Sequence, residues 1–303
     1  MILSLFLITS IVYGAEQSEK RVAVLVSLNI RPYIEAVEGL KKELSDGNLP
    51  GIDTFNMENY TDKNQDVLAE SLANGKYDLC IAVGPEAFRY VQSIHFPEKV
   101  LKIYTMVLNP DEITNFGEPM CGISLDIPAK ILIQIFSRAF PSLKRIGLLY
   151  DPKNNSEFVK QVTAEAAIKD LNIIPLEIPM RKEISTVLKA NWNRIEGLWL
   201  IPDRTIITES LVRYIVKESI SNGVAVFGYN RFFYKSGAAL CYILDYSEIG
   251  KKTAQLSLAM LNGSLCRNLM PAYEIWYNPR ILKILKIDMV TDPSSNIKIT
   301  PGP

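Results

Sequence analysis

The chain has 303 residues, a length typical of two domains. Hydrophobic residues make up 48% and charged residues 22%, which is the balance of an ordinary globular protein. The 33 basic and 33 acidic residues cancel, so the composition indicates neither a basic face for nucleic acid nor a polybasic segment for a membrane surface.

The first fifteen residues are apolar and uncharged, and a polar run over residues 16–20 follows them. The apolar stretch is too short to span a bilayer comfortably, and it ends in small residues. We therefore predict a secretion signal over residues 1–15, with a buried N-terminal strand or helix as the alternative. The signal lacks the basic residue that normally opens such a segment. No cysteine lies at the cleavage point, so we expect a periplasmic or secreted protein without a lipid anchor.

From Arg21 onward, short apolar runs alternate with segments of helical periodicity. Apolar runs without polar alternation suit parallel strands that are buried on both faces. Predicted helices begin at Pro32, near Val67 and at Pro85. The predicted strands of this first half are residues 22–28, 52–57, 78–83, 103–107 and 121–125.

The pattern restarts after residue 125 with a predicted helix over residues 128–140. A later block over residues 238–287 adds a strand, a helix, a further strand and a terminal helix. Between them the predicted strands are residues 145–150, 173–178, 197–201 and 224–227, and the predicted helices are residues 156–170, 184–191 and 206–221.

Residues 21–120 and 125–235 thus repeat one plan, which predicts an α/β fold of two Rossmann-like or flavodoxin-like lobes with parallel, doubly wound sheets. Because no Gly/Ser linker separates the repeats, short crossovers near Gly122, Gly237 and Tyr273 should join them. The tail is polar and is expected to be disordered or to form a surface strap. The predicted domains are a signal peptide over residues 1–15, lobe I over 21–121 and about 238–272, lobe II over 122–237 and about 273–290, and a tail over 291–303.

The four cysteines match no metal-binding or thioredoxin-type spacing. Cys80 and Cys241 lie in apolar, strand-like runs, so we expect them to be buried free thiols. An oxidising compartment would permit a disulfide, but the sequence does not determine which cysteines pair.

A cleft between two such lobes is the expected binding site. Ligands of open parallel sheets bind outside the carboxyl ends of the strands, where helix N-termini favour anions. A ligand that touches both lobes stabilises the closed form. The candidate ligand-binding residues at these strand ends are Asn29, Gly84, Pro85, Glu86, Asn109, Tyr150, Asp203 and Asn230. Each residue type is also common at any strand-to-helix turn, so a purely structural role is the alternative for each.

The Gly84-Pro85 pair indicates an anion site. Glycine lets a ligand approach the backbone, and proline at the first helical position sacrifices no hydrogen bond. Free N–H groups around Gly84, Glu86 and Ala87 would then hold a carboxylate. Asp203, at the matching turn of the other lobe, would accept hydrogen bonds from a ligand ammonium, or it would be an ordinary helix N-cap. Together these sites would suit an amino acid.

Other residues near the predicted cleft leave the ligand class open. Arg31, Arg204 and Arg231 would allow an acidic ligand instead. Tyr104, Tyr150 and Tyr229 would offer apolar walls to a ligand, or they would be core residues. Sequence order does not fix which of these side chains reach the cleft.

No catalytic machinery is recognisable in the sequence. The only histidine, His95, lies in a predicted loop. There is no Gly-x-Ser-x-Gly turn, no P-loop, no Gly-x-Gly-x-x-Gly fingerprint and no cluster with metal-ligand spacing. The neighbouring carboxylates Asp111 and Glu112 are expected to be solvated. We therefore expect a non-enzymatic protein with no catalytic residue, no metal and no cofactor.

Short segments spread over about residues 21–290 carry a family resemblance through their order and spacing. The longest are YDLCIAVGP at 77–85 and PSLKRIGLLYDP at 141–152. The others are residues 38–44, 109–110, 121–124, 200–203, 236–240, 246–250, 261–263 and 278–279. Together they resemble the tryptophan/phenylalanine-type ABC transporter substrate-binding proteins, which have the periplasmic binding protein type I fold.

The resemblance implies an extracytoplasmic solute-binding protein that delivers its ligand to an ABC permease in the inner membrane. It implies ligand contacts at Gly84, Asn109, Tyr150, Asp203 and Asn230. Family members often carry Thr or Ser where Gly84 stands, and Asp where Asn109 stands.

We expect a monomer that binds an amino acid or related carboxylate and has no nucleic-acid partner. The alternative is a sensory module that signals to a membrane receptor or sensor kinase, because its lobes would look the same. An enzyme of flavodoxin-like or sugar-isomerase type is a third hypothesis. A cytoplasmic repressor is disfavoured by the secretion signal and by the lack of an N-terminal DNA-binding helical module.

Overall fold

The computed structural model describes residues 20–47, 51–60, 65–96, 99–113, 120–203, 205–206, 208–290 and 299–302. These residues form two α/β lobes, each built around its own sheet, as the alternating sequence pattern predicts. The predicted secretion signal lies outside the described residues, and so does Arg204. Within the described ranges, no helix has the length and apolar character needed to cross a bilayer.

Lobe I contains a parallel sheet in the order β2-β1-β3-β4-β5. Its central strands β1 and β3 are almost entirely apolar and buried, so helices must cover both faces. The strands are β1 Arg21–Val26, β2 Gly51–Asn56, β3 Leu79–Val83, β4 Leu101–Val107 and β5 Cys121–Ser124. The helices of this lobe are α1 Arg31–Asp46, α2 Gln65–Asn74, α3 Pro85–Ser93, α4 Pro110–Ile113 and α10 Tyr246–Leu261.

Helices α1 and α10 cover one face of the first sheet and cross at two glycines. A Cβ atom on Gly250 would collide with the carbonyl oxygen of Ala36, and one on Gly39 would collide with the carbonyl oxygen of Ser247. The two backbones therefore touch, which only glycine permits at these positions. Helix α10 thus completes lobe I although it comes from the last quarter of the chain.

Lobe II contains a sheet in the order β12-β11-β10-β9-β8-β6-β7. Strand β11 is antiparallel to β10, and the other described pairs are parallel. The strands are β6 Arg145–Tyr150, β7 Asn172–Glu177, β8 Gly197–Leu200, β9 Ala225–Gly228, β10 Leu240–Leu244, β11 Tyr273–Tyr277 and β12 Ile299–Pro301. The helices are α5 Ala129–Ala139, α6 Pro152–Ala167, α7 Ile184–Asn191, α8 Glu209–Ser221, α9 Arg231–Ser236 and α11 Pro279–Leu285.

The crossovers between the lobes differ from the sequence assignment at two places. Strand β5 pairs with β4, so Gly122 belongs to lobe I and the chain crosses later, at residues 125–128. Strand β10 pairs with β9 in lobe II, so the chain crosses at Asp245 and not near Gly237. Only α10 and the segment after it, within the block 238–272, return to lobe I. An apolar run predicts a buried strand but does not identify the sheet that receives it.

Two helices of lobe II begin at other residues than predicted. Helix α6 begins at Pro152, because the Asp151 side chain accepts a hydrogen bond from the Lys153 N–H and caps it. Helix α8 begins at Glu209 with Thr208 as its N-cap, and before it the Ile206 N–H donates to the Asp203 carbonyl at 3.1 Å.

A disulfide joins Cys121 on β5 to Cys266 in the segment that follows α10, with their Cα atoms 5.9 Å apart. Hydrogen bonds reinforce this connection. The Gly122 N–H donates to Oδ1 of Asn268 at 3.1 Å, and the Leu269 N–H donates to the Gly122 carbonyl at 2.9 Å. The segment 262–270 is thus fixed along the free edge of the first sheet.

The other two cysteines, Cys80 and Cys241, are buried free thiols, which confirms the sequence prediction. Their strands place them in the two separate sheets, so they cannot pair with each other. Burial raises the pKa of the Cys80 thiol to about 12, which keeps it protonated and unreactive near neutral pH.

We expect that replacing both Cys121 and Cys266 by serine lowers the free energy of unfolding by about 2–5 kcal/mol, because the bond closes a long loop in the unfolded chain. Urea unfolding measured with and without dithiothreitol tests this. The reductant should destabilise the wild-type protein and leave the double variant unchanged. Equal midpoints for wild type and variant under oxidising conditions would contradict the prediction.

We expect Gly250→Ala to lower the free energy of unfolding by about 1–3 kcal/mol, because the added methyl group forces α10 away from α1. Glu38→Ala is the matched control, since Glu38 is exposed on α1 next to the crossing. Thermal unfolding of both variants is the measurement. Equal melting temperatures for the two variants would show that the helices do not touch at this glycine.

Candidate functional site

The carboxyl ends of both sheets face a cleft, and the first crossover, at residues 125–128, lies beside it. Residues that follow β4 and β5 line a cavity of about 350 Å³ together with residues of α6 and the end of β8. We call this cavity the hinge pocket. Its volume lies within the range of ordinary small-molecule sites.

The lining of the hinge pocket is apolar with an acidic and amide rim. Its large apolar side chains are Leu108, Leu125, Ile127, Leu132, Phe158, Ile201 and Tyr242. Its polar side chains are the carboxylates of Asp111, Glu112, Asp126 and Glu157 and the amides of Asn109, Asn154, Asn155 and Gln161. Among the described residues, no lysine, arginine or histidine lines it.

A distorted strand end shapes the lobe I side of the hinge pocket. Met106 and Asn109 have positive φ angles of 61° and 48°, and the pairing of β4 with β5 shifts register between Thr105 and Val107. Such a bulge redirects side chains at the end of a strand. It brings Leu108 and Asn109 to the pocket, so the structure places the predicted residue Asn109 in the cleft.

Asp126 lies at the first crossover and was missed by the sequence analysis, although its position after a predicted strand could have identified it. Its Oδ2 accepts a hydrogen bond from the Asn109 N–H at 2.9 Å. Burial raises the pKa of Asp126, hydrogen bonds from Asn109 and Ser124 lower it, and the negative charges of Glu112 and Asp111 raise it again. A cation in the pocket would therefore stabilise the ionised form of Asp126.

A second cavity of about 280 Å³, which we call the arginine pocket, lies between the start of α1 and the start of α9. Arg31, Arg231 and Asn230 line it together with the carboxylates of Glu35, Asp245 and Glu274. Both arginines already have partners in the protein. The Arg31 Nε donates to Glu35 at 2.6 Å, and the Arg231 guanidinium lies 5.3 Å from the Trp276 ring centroid.

The start of α3 does not provide the free N–H groups that the sequence analysis expected. The Gly84 N–H donates to the Thr105 carbonyl at 3.0 Å, within the sheet. The Ala87 N–H donates to Oγ of Ser27 at 2.8 Å, and Ser27 is buried. The expectation that the Gly84 and Ala87 N–H groups are free is therefore wrong, because the chain satisfies these donors itself.

Tyr33 covers the same helix start. A Cβ atom on Gly84, whose φ is 91°, would lie 2.8 Å from the Tyr33 ring and 2.7 Å from the Ser27 hydroxyl. Glycine is therefore required there by both backbone conformation and space. Pro85 is half-buried as the first residue of α3, and Glu86 is exposed beside it.

The Asp203 side chain is buried and braces the lobe II wall from inside. Its Oδ2 accepts hydrogen bonds from the Asp151 N–H at 2.7 Å and the Asn155 amide at 2.8 Å, and its Oδ1 accepts one from the Thr205 N–H at 2.8 Å. It does not cap α8, since Thr208 occupies that position. A ligand ammonium would have to share a carboxylate that already has three donors.

The Asp151 carboxylate joins the same network. Its Oδ2 accepts a hydrogen bond from the Thr205 hydroxyl at 2.7 Å, and this bond together with that from the Lys153 N–H lowers the pKa of Asp151. The ends of β6 and β8 are thereby tied together. Asn155 and Thr205 complete this internal network next to the hinge pocket.

The remaining predicted residues are dispersed. Tyr150 is buried, and its hydroxyl donates to Oε1 of Glu177 at 2.8 Å. Asn29 is exposed in the loop after β1, where its N–H donates to Glu58. Asn230 caps α9 through its side chain and lines the arginine pocket.

Several tyrosines lie near one another around the start of α10, at the second crossover. Burial and the nearby charge of Glu86 raise the pKa of Tyr33 to about 12. Burial and Asp203 raise the pKa of Tyr229, whose ring lies 6.4 Å from that of Tyr242. Tyr246 begins α10 at the second crossover and lies near Tyr33 and Tyr229. Tyr33 and Tyr246 escaped the sequence analysis because their positions inside helices resemble core positions.

Two further residues lie away from the cleft. Tyr104 is buried with its hydroxyl directed to Asn268 at 3.1 Å, so it is a core residue and not a wall. His95 is exposed after the C-terminal end of α3, opposite the end of that helix that faces the cleft. Over the described ranges of the chain, no group of His, Cys, Asp and Glu could hold a metal ion.

Known proteins that are similar to this chain agree with the architecture described above. A family model described as ABC transporter substrate binding protein matches residues 21–287. A tyrosine-binding protein from Clostridioides difficile (strain R20291) is 22% identical over 281 residues, which are 88% of this chain and 78% of that protein.

Solved structures of similar fold cover most of the chain. The ligand-free, open structure of CD0873, a substrate-binding protein with adhesive properties from Clostridium difficile, has a TM-score of 0.75 at 19% identity and covers 93% of this chain and 99% of that one. The ABC domain in complex with L-Trp from Streptococcus pneumonia has a TM-score of 0.62 at 18% identity and covers 93% and 100%. A periplasmic ribose ABC transporter protein from Conexibacter woesei has a TM-score of 0.59 at 13% identity and covers 88% and 95%. The similarities confirm the predicted periplasmic binding protein type I architecture.

We expect Asp203→Ala to lower the free energy of unfolding by about 2 kcal/mol or more, because the buried N–H groups of Asp151 and Thr205 lose their acceptor. Asp203→Asn should cost less, since its amide oxygen still accepts one of these bonds. The control is Asp46→Ala, an exposed carboxylate at the end of α1. Chemical denaturation compares the three variants, and a stability loss no larger than that of the control would refute the bracing role.

Proposed function

The chain belongs to the family of ABC transporter substrate-binding proteins, and on that premise we propose that it is the extracytoplasmic solute-binding component of an ABC importer. The ligand that we propose is an amino acid or a closely related amine, bound in the interlobe cleft. The protein would then deliver this ligand to a permease in the membrane. In this function it acts as a monomer, by binding and release, without catalysis.

The observation that supports the proposal most directly is the two-sided lining of the hinge pocket. Leu108 and Asn109 come from lobe I, Asn154 and Phe158 come from lobe II, and Asp126 lies on the crossover that joins them. A ligand in this pocket contacts both lobes and therefore gains contacts when they close. Differential binding of that kind shifts the population towards a closed form that a permease can recognise.

The lining also supports the ligand class. Apolar side chains such as Phe158 and Leu132 suit a hydrocarbon or aromatic body, while the carboxylates and amides of the rim suit an ammonium group. The tyrosine-binding relative and the L-Trp complex described above support an aromatic amino acid.

The disulfide supports the proposed compartment. Cys121 and Cys266 are bonded, and disulfides persist in the oxidising environment outside the cytoplasm. The family is extracytoplasmic as well. A secretion signal over residues 1–15 would deliver the chain there, and it remains part of the proposal.

We expect aromatic L-amino acids to raise the melting temperature of the purified protein in a thermal-shift screen that also contains dicarboxylates, sugars and nucleosides. A ligand at about 100 times its Kd adds about 2.7 kcal/mol to the free energy of unfolding. Isothermal titration then gives the affinity. A shift with sugars or dicarboxylates and with no amino acid or amine would contradict the proposed ligand class.

A variant pair tests the location of the site. Asn154→Arg places a long cationic side chain at the hinge pocket and should weaken the identified ligand at least about tenfold by occupying the pocket. Ala164→Arg places the same side chain on an exposed position of α6 outside the pocket and should have no effect. Equal affinities of the two variants would place the ligand elsewhere.

A further inference from the structure

We infer that the cleft selects its ligand by the ammonium group and leaves the carboxylate unrecognised, so that primary amines with an apolar or aromatic body bind about as well as the corresponding amino acids. This inference rests on the proposed function, because it concerns the same cleft. The inference goes beyond the proposed function by identifying which charged group of the ligand the protein recognises.

The first step concerns the start of α3, where the sequence predicted an anion site and where most N–H groups are already paired within the chain. A helix N-terminus binds anions through its unpaired N–H groups. Here the Gly84 N–H donates to the Thr105 carbonyl in the sheet, and the Ala87 N–H donates to the Ser27 hydroxyl oxygen. Pro85, which lies between them, has no N–H. Of the first-turn donors, only the Glu86 N–H has no partner among the described residues.

The second step is that the approach to this helix start is blocked and negatively charged. The Tyr33 ring and the Ser27 hydroxyl fill the space above Gly84 so closely that not even a Cβ atom fits there. The exposed Glu86 carboxylate lies close enough to raise the pKa of Tyr33. A ligand carboxylate at this position would meet a ring and a like charge, and would gain one N–H group.

The third step is that each arginine described in the cleft already lies beside a partner within the chain. Arg31 pairs with Glu35, and Arg231 stacks over Trp276, both at the arginine pocket. Three carboxylates line that pocket beside the two arginines, so it offers no net positive field to an anion.

The fourth step is that the hinge pocket has the opposite character. Four carboxylates and four amides surround an apolar interior, and no basic side chain is found among its described lining residues. Asp126 is the most enclosed of these acids, and the nearby charges of Glu112 and Asp111 disfavour its ionisation. A ligand ammonium would relieve this repulsion, whereas a ligand carboxylate would increase it.

Matched ligands that differ by one charged group test the inference. Isothermal titration of the mature chain would use tyrosine, tyramine, which lacks the carboxylate, and 3-(4-hydroxyphenyl)propionate, which lacks the ammonium. Tryptophan, tryptamine and indole-3-propionate form a second set. We expect each amine to bind within about threefold of its amino acid, and each acid to bind at least about a hundredfold more weakly.

The outcomes separate the inference from the proposed function. If the amino acids bind and the amines do not, the carboxylate is recognised and the inference is overturned, while the proposed function stands. If the acids bind as well as the amines, the inference is overturned too. If no member of either set binds, the proposed amino-acid ligand is contradicted, and the inference is overturned with it.

A charge variant of the hinge pocket provides the second test. Asp126→Asn keeps an acceptor for the Asn109 N–H and removes the negative charge, so tyramine affinity should fall at least about tenfold without loss of folding. Asp170→Asn makes the same charge change at an exposed residue outside both pockets and should leave the affinity unchanged. Unchanged tyramine binding by a folded Asp126→Asn variant would overturn the inference.

Discussion

The chain passes between its two lobes three times, and these passages constrain everything else in the structure. On the lobe I side, the Cys121–Cys266 disulfide links the strand before the first crossover to the segment before the third crossover. On the lobe II side, the antiparallel pairing of β10 with β11 keeps the second crossover next to the third crossover. The connection between the lobes is therefore confined to a few residues at each crossover, which is the arrangement that hinge closure requires.

The walls of the cleft differ in how they are stabilised. In lobe II, the Asp203–Asp151 network fixes the ends of β6 and β8 through buried hydrogen bonds. In lobe I, Ser27 and Tyr33 fix the start of α3. Ser27 and Asp203 thus occupy donors within the chain, whereas acids and amides line the hinge pocket. The electrostatics of the site follow from which groups the fold has already paired.

The fold alone does not identify the solute, since this two-lobed architecture accommodates unrelated ligands. The hinge pocket of this cleft has an apolar and acidic lining. Tyr33, Tyr229 and Tyr246 come from different segments and meet only at the crossovers. In the proposed function, recognition would depend on side chains that converge from both lobes on a hinge, which suits capture and release of a solute.

Local hydrophobic patterning was sufficient to predict the order of strands and helices, the two doubly wound lobes and the buried free thiols. It did not determine the sheet to which β10 belongs, the disulfide pairing or the role of Asp203. Nor did it reveal that Gly84 and Ala87 have no free N–H groups. Their partners, Thr105 and Ser27, lie about twenty and sixty residues away along the chain. Whether a polar group is free to bind a ligand depends on every neighbour that folding brings to it, and only the tertiary structure assembles those neighbours.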